Sequence, residues 1–456
     1  MPPTSRTFGD CARSSARILV APCNDRARGA VRPPIEPASG ARGRKSVHGL
    51  DTDERIAGKT PFFGHVTAFS ANLGHAGKLW RRPHKKDNPE SPVSLVRPST
   101  HLTHPPTAAV DLSALTDLVH RTFGAELSAT PMPGGASTRR YFRLDLPNGH
   151  RAVAMFVPEG GRPEEVQKVH DGTRWPFLEV RDLLADRGID VPGILAEDTP
   201  RGWLVIEDLG DDTLANWLSK NPGDKPQLYS KAVRDLARAQ QVLSELPKGS
   251  VVGSRTFDFD LLRWEIEHFR EWGLDAREKP LAPGDVERWN AIADRLARRV
   301  ADLPHCFVHR DYQSRNLMVA SAGDELRLVW IDFQDALLGP RVYDLVALLN
   351  DSYQEFDRPF VEARLADYAS AAGLDAASLE RIVHEFDLVT VQRKLKDAGR
   401  FVFIDRQKNN PSFLKFVTPT IHKVNGALER LAPSDPDMAE LRTILRRALG
   451  DELTST

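Results

Sequence analysis

Three cysteines in 456 residues, Cys11, Cys23 and Cys306, are too few for a disulfide framework, and no CxxC or Cys/His group stands at zinc spacing. A reducing compartment, the cytoplasm, is the expected setting. Long apolar runs are also missing: none approaches the roughly 20 residues of a membrane-spanning helix, so no membrane partner is expected. Nor is there an excess of one charge. Against 62 Lys+Arg stand 63 Asp+Glu, a net of −1, which excludes a bulk nucleic-acid coat protein. What remains is 41% hydrophobic material in a chain long enough for two or three domains or lobes.

The average conceals two polymers. Residues 1–105 carry 17 basic and 8 acidic side chains and 12 of the 33 prolines, leaving 45 basic and 55 acidic groups for the rest. This first stretch shows no sustained period of 3.6 or 2 and is broken by Pro33-Pro34, Pro105-Pro106 and the Gly/Ser/Arg run 39–47. It is expected to be a disordered, basic leader. Its Arg- and Ser-rich start resembles a transit peptide in composition, but the apolar patch 16–23 is too short for a secretory signal core. An upstream start codon is a second origin, since the next methionine after Met1 is Met132. The AGKT at 57–60 and HAGK at 75–78 lack the glycine that would close a phosphate-cradling loop, so both are chance.

Globular patterning begins near Asp111. Leu112, Leu115, Leu118 and Val119 fall on one helical face that Gly124 ends. Strand-like runs at 138–146 and 150–157 bracket Pro-Asn-Gly, which predicts a hairpin. A helix over 176–188 and strands near 193–197 and 203–207 follow. Beyond Asp211 helices dominate, at 211–220, 226–246, 258–272, 284–302, 343–354, 358–371, 376–398 and 433–449. The outline is α+β, a β-rich N-lobe over 106–208 and a larger helical C-lobe over 209–456.

The chemistry concentrates at 306–349. A short strand (306–308) feeds His309-Arg310-Asp311, four residues separate Asp311 from Asn316, and the buried run 326–331 ends in Asp332-Phe333. Phosphoryl transfer from ATP needs Mg²⁺ held by hard oxygens and one carboxylate to orient the acceptor hydroxyl. This order supplies them: Asp311 as base, Asn316 and Asp332 as metal ligands. His309 is expected to brace the loop. Asp344, at the start of an apolar helix, is expected to cap it or to hold the catalytic loop.

These segments resemble the aminoglycoside phosphotransferase/choline kinase superfamily over about residues 110–450. They are most similar to the bacterial anomeric kinases of N-acetylmuramate and N-acetylglucosamine. The likeness is carried by 134–144 (GGASTRRYFRL), 309–319 (HRDYQSRNLMV), 331–353 (IDFQDALLGPRVYDLVALLNDSY) and 391–402 (VQRKLKDAGRFV). Most aminoglycoside kinases have HGD where this chain has HRD. The resemblance implies a two-lobed protein-kinase-like fold and phosphorylation of an amino sugar at C1 in cell-wall recycling.

Within that frame, 133–142 is placed as the turn over the phosphates, with Gly134, Gly135, Ser137 and Thr138 offering backbone or hydroxyl donors. One part is missing. The strand after the turn should carry a lysine, and Met155 stands there instead. Arg139, Arg140, Arg143 or Lys168 could substitute, with Glu179 as the helix carboxylate. The backbone from Glu207 to Leu209 is assigned to the adenine edge. Arg393, Lys396 and Arg400, at i, i+3 and i+7, form a basic helical face suited to an acceptor carboxylate. The expected protein is therefore a monomeric kinase using ATP and Mg²⁺ on a small amino sugar. The alternatives are an aminoglycoside, choline or other small-alcohol acceptor on the same fold, or an inactive kinase-like scaffold.

Overall fold

The structure is a computed structural model that describes residues 110–133, 139–158, 174–323 and 325–454. The leader 1–105, Gly134, Gly135, Ser137, Thr138 and Lys168 lie outside the described residues.

The N-lobe begins with α1 (Ser113–Phe123), whose buried residues Leu115, Leu118 and Val119 are three of the four on the anticipated face. Gly124 ends it in a left-handed conformation at φ 63°, donating its N–H to the His120 carbonyl. Strands β1 (Ala129–Pro131), β2 (Arg140–Asp145), β3 (Arg151–Phe156), β4 (Ile194–Asp198) and β5 (Trp203–Glu207) form one antiparallel sheet in the order β1-β2-β3-β5-β4. The β2–β3 turn needs two positive φ values, which Asn148 (63°) and Gly149 (75°) supply. Alternation divides the sheet. Phe142, Leu144, Ala152, Ala154 and Val205 meet α1, and Met155 and Leu204 join the core that runs into the C-lobe. Helix α2 (Pro176–Asp186) belongs to that second core.

The C-lobe comprises α3 (Leu214–Lys220), α4 (Lys225–Val242), α5 (Phe259–His268), α6 (Pro283–Ala301), β6 (His305–Val308), β7 (Leu317–Ala322), β8 (Glu325–Trp330), β9 (Leu337–Pro340), α7 (Tyr343–Leu349), α8 (Arg358–Ala371), α9 (Ala376–Lys408), α10 (Val417–Leu431) and α11 (Pro436–Leu449). Two antiparallel ribbons, β6–β9 and β7–β8, present the catalytic segments. The anticipated α+β two-lobed outline is what the chain adopts.

Several boundaries differ from the sequence reading, each for a physical reason. Helix α9 runs ten residues beyond 398 because it threads the middle of the lobe. Buried on most faces, it offers no polar stripe to mark a period. Helix α5 gives way at Phe269 to a π-helical turn, Phe269–Leu274, against which α9 packs. Gly399 permits the approach, since a Cβ there would lie 2.8 Å from the Phe269 Cα and 2.9 Å from the His268 carbonyl oxygen. Helix α7 stops at Leu349 because Asp351 turns back to the catalytic loop, where its carboxylate accepts from the Ser314 hydroxyl at 2.6 Å. The unanticipated α10 buries Val417, Ile421, Val424, Leu428 and Leu431 at helical spacing. Strand β1 is three residues with a proline and β9 contains Gly339 and Pro340, composition that argues against strands.

Candidate active site

Between the N-lobe sheet and the β7–β8 ribbon lies a cavity of about 210 Å³, walled by Tyr141, Val153 and Met155 from the sheet, Phe177 from α2, Glu207 to Gly210 from the connection, and Met318, Ile331 and Asp332 from below. Its lining is mostly apolar, with Glu207, Asp208 and Asp332 as its carboxylates, which suits a nucleotide cleft. The connection is fixed by charge. Arg143 pairs with the buried Asp208 at 2.9 Å and with Asp211 at 2.6 Å, and Gly210 turns the chain at φ 77° while donating to Asp208. Of the hinge groups expected at the adenine edge, the Glu207 N–H is already engaged with the Gly193 carbonyl at 2.9 Å, and its carboxylate pairs with Arg327 at 3.0 Å. Leu209 lines the cavity wall.

The catalytic loop follows β6. His309, fully buried, contacts the Ile331 carbonyl through Nε2 at 3.1 Å; a carbonyl only accepts, so Nε2 carries the proton. Burial lowers its pKa to about 4, so the ring is neutral and braces β8. Asp344 accepts the N–H groups of His309 at 2.6 Å and Arg310 at 3.0 Å. Of the two roles expected for Asp344 it therefore takes the second; the helix N-cap position is Val342. Between these anchors Arg310 is held at φ 79°, and Asp332 adopts φ 64° at the end of β8. Left-handed geometry at a non-glycine residue is costly and persists only where its surroundings impose it.

Three expected groups come together here. Asp311 is buried; Asn316 donates through Nδ2 to the Asp311 backbone carbonyl at 2.8 Å, and its own carbonyl bonds the Ile331 N–H at 3.0 Å, tying loop to strand. Asp332 accepts from Gln334 at 2.9 Å and lies close enough to Asp311 for their charges to interact. Burial, then Asp311, pushes Asp332 up to about 7. Burial likewise raises Asp311, against the pull of Arg393, Lys396 and Arg310. A buried carboxylate such as Asp332, raised further by its neighbour Asp311, is under-compensated, an arrangement that suits a divalent cation, and an Asn–Asp pair leaves room for phosphate oxygens and water on Mg²⁺. Phe333, behind Asp332, stacks on Phe177 at 5.2 Å and fixes the strand end against α2.

The position of the missing lysine is apolar in fact: Met155 is 1% exposed and pairs in register with Tyr141. Of the cations weighed as substitutes, Arg139 is buried on the cavity wall and its charge acts on Asp332. Arg143 is committed to the hinge, and Arg140 donates to the Arg139 carbonyl. Glu179 accepts from the Val251 N–H at 2.6 Å, tying α2 to the C-lobe rather than to a strand lysine.

The expected basic face of α9 points inward. Arg393, 0% exposed, lies behind the catalytic loop: it donates to the Arg310 carbonyl at 2.9 Å, sits 3.6 Å from the Asp311 carboxylate and packs 4.4 Å from the Tyr343 ring centroid. Lys396 pairs with Asp397 at 3.1 Å, and Arg400 covers the Phe403 ring. Sequence reasoning marked Arg310 only as the residue standing where HGD has glycine, and did not single out Tyr141. The alternation of β2, which groups Tyr141 with Arg139 and Arg143, could have found the second.

Comparison with known proteins places this geometry. The model of the phosphotransferase enzyme family matches residues 128–379. An N-acetylmuramate/N-acetylglucosamine kinase of Pseudomonas aeruginosa is 34% identical over 322 residues, covering 69% of this chain and 87% of that protein. The kinase of the same name from Pseudomonas putida is 33% identical over 324 residues (70% and 87%), and that from Neisseria meningitidis serogroup B 30% over 331 residues (70% and 90%).

Proposed function

The chain belongs to the phosphotransferase enzyme family, and from that membership we propose that it uses ATP and Mg²⁺ to phosphorylate the anomeric C1 hydroxyl of N-acetylmuramate- and N-acetylglucosamine-type amino sugars, a step of cell-wall recycling. The observation that carries the reading is that Asp311 acts on Asp332, which lines the cavity, while Asn316 ties the loop of the first to the strand of the second. It also speaks against an inactive scaffold.

In this reading the adenine occupies the apolar cavity against Leu209, and Gly134, Gly135, Ser137 and Thr138 supply donors to the phosphates. Arg139 serves there in place of the strand lysine. Asn316 and Asp332 would hold Mg²⁺, which when bound neutralises charge between the β- and γ-phosphates. Asp311 accepts the acceptor's C1 hydroxyl as a hydrogen-bond donor, orients its oxygen and takes its proton as the phosphoryl group transfers. His309, Asp344 and Arg393 keep that carboxylate in place. Catalysis is positioning and electrostatics, with little covalent work for the protein. The division into a leader over 1–105, an N-lobe over 106–208 and a C-lobe over 209–456, working as a cytoplasmic monomer, belongs to the same proposal.

A cationic acceptor such as an aminoglycoside or choline would enter beside Arg310, Lys396 and Arg400 and meet like charge. An acceptor screen reading ADP release tests the choice: turnover of amino sugars above that of kanamycin or choline is expected, and the reverse order would overturn it.

A further inference from the structure

Arginines in the C-lobe mostly face carboxylates: Arg341 meets Glu385 at 2.7 Å, Arg358 meets Asp387 at 2.8 Å and Arg447 meets Asp285 at 2.6 Å. Two beside the catalytic aspartate do not. Among the described residues, neither Arg310 nor Arg400 makes an ion pair or a side-chain hydrogen bond. Arg400 is only 8% exposed, its Nε is buried without a partner, and its guanidinium lies 4.6 Å from the Phe403 ring centroid. Arg310 sits 6.0 Å from the Phe257 ring centroid. The two cations act on each other, and both act on Asp311. The anions Asp335, Glu265 and Asp311 act on Arg310 from beyond ion-pair distance; Glu265 accepts from Gln392 at 2.8 Å, and the neighbouring His268 is neutral.

The backbone sharpens the point. At φ 79° position 310 suits glycine, yet the chain places arginine there and clamps both of its peptide groups, the N–H by Asp344 and the carbonyl by Arg393. The loop geometry alone would be met more easily by glycine, so the strain is borne for the side chain. A like-charged guanidinium pair, Arg400 buried with an unpartnered Nε and Arg310 partly exposed, suits an anion, and guanidinium matches carboxylate in shape. Arg310 is the chain neighbour of Asp311, which keeps that anion within one sugar ring of the base.

We infer that Arg310 and Arg400 form a two-guanidinium subsite beside Asp311 that binds a carboxylate carried by the acceptor sugar. The inference rests on the amino-sugar kinase reading above. It names the residues that separate an acidic acceptor from a neutral one.

The test compares kcat/KM for N-acetylmuramate and N-acetylglucosamine in the wild type, Arg310→Gly and Arg400→Gln. Glycine fits φ 79°, so a folding defect is not expected to mask the result. The acidic-to-neutral ratio should fall roughly 10- to 100-fold in each variant, and Arg400→Lys should restore part of it. Equal losses on both sugars, or a raised KM for ATP with an unchanged ratio, would overturn the subsite while leaving the kinase reading standing. If the wild type phosphorylates neither sugar, the kinase reading fails, and calorimetric binding of N-acetylmuramate against its methyl ester decides the subsite. Arginine-dependent binding of the acid alone supports it; no binding, or equal binding of acid and ester, overturns it.

Discussion

Replacing Arg393 by methionine keeps bulk beneath the catalytic loop and removes its charge. Three polar contacts go at once, along with the cation over the Tyr343 ring: the donation to the Arg310 carbonyl at 2.9 Å, the approach to Asp311 at 3.6 Å and the weaker one to Asp397 at 3.9 Å. Asp397 is not orphaned, since Lys394 remains at 2.9 Å and Lys396 at 3.1 Å. The loss falls on Asp311 and on a left-handed peptide with one anchor gone. Removing one partner of a buried pair costs about 3–5 kcal/mol, and that is the expected fall in unfolding free energy by urea titration read from tryptophan fluorescence. The second readout is catalytic. In the proposed mechanism Asp311 works ionised, and burial already raises its pKa against the pull of Arg393. Without that cation the pKa rises further, so the acid limb of the kcat/KM profile must move to higher pH. Arg393→Lys, which keeps the charge but not the planar donor, should return part of the shift. A methionine variant within about 0.5 kcal/mol of wild type, the usual surface margin, with its acid limb in place, would refute the positioning role.

Asp311→Asn should retain Mg²⁺-dependent nucleotide binding and lose turnover by about 100-fold or more; near-normal turnover would remove Asp311 from the mechanism. Asp332→Ala should abolish the difference in nucleotide affinity between Mg²⁺ and EDTA, measured calorimetrically, and an unchanged difference would reject the metal assignment. Gly399→Ala should destabilise by about 1–3 kcal/mol despite alanine's helix preference, because the new methyl meets backbone at 2.8 Å; a neutral or stabilised variant would contradict that packing. His268 is pulled down to about 3 by burial and by Arg400 and Lys396. Its folded value lies below its unfolded 6.5, so its contribution to stability is complete above that pH and is lost as pH falls. Between pH 7 and 5 the stability gap between wild type and His268→Gln should narrow by about 2 kcal/mol, and a constant gap would place charge in the folded ring.

The part of the candidate site that gathers Asp311, Asn316 and Asp332 was legible because these residues are local in sequence. Asp311, Asn316 and Asp332 sit on one loop and the strand after it, so spacing and a single apolar run carry their arrangement. The hairpin of β2 and β3 was legible for the same reason, through Pro-Asn-Gly and alternation. What sequence could not disclose was made by long-range packing. The interior course of α9 erases the polar stripe that periodicity needs, so Arg393 was placed on a basic face for an acceptor carboxylate, whereas it lies buried behind the loop. The π-turn at 269–274 exists because α9 passes it at Gly399, over a hundred positions away. The strain at Arg310 is invisible to composition, since only the clamps from Asp344 and Arg393 reveal it.

One phosphorus NMR spectrum tests the central claim most directly. The protein is incubated with ATP, Mg²⁺ and N-acetylglucosamine or N-acetylmuramate, and the Asp311→Asn variant runs alongside. The account predicts a new sugar-phosphate resonance coupled to the anomeric proton in the wild-type sample and none in the variant. A resonance coupled to the C6 protons would contradict the anomeric assignment, and ATP consumed by neither sugar would contradict the amino-sugar kinase itself.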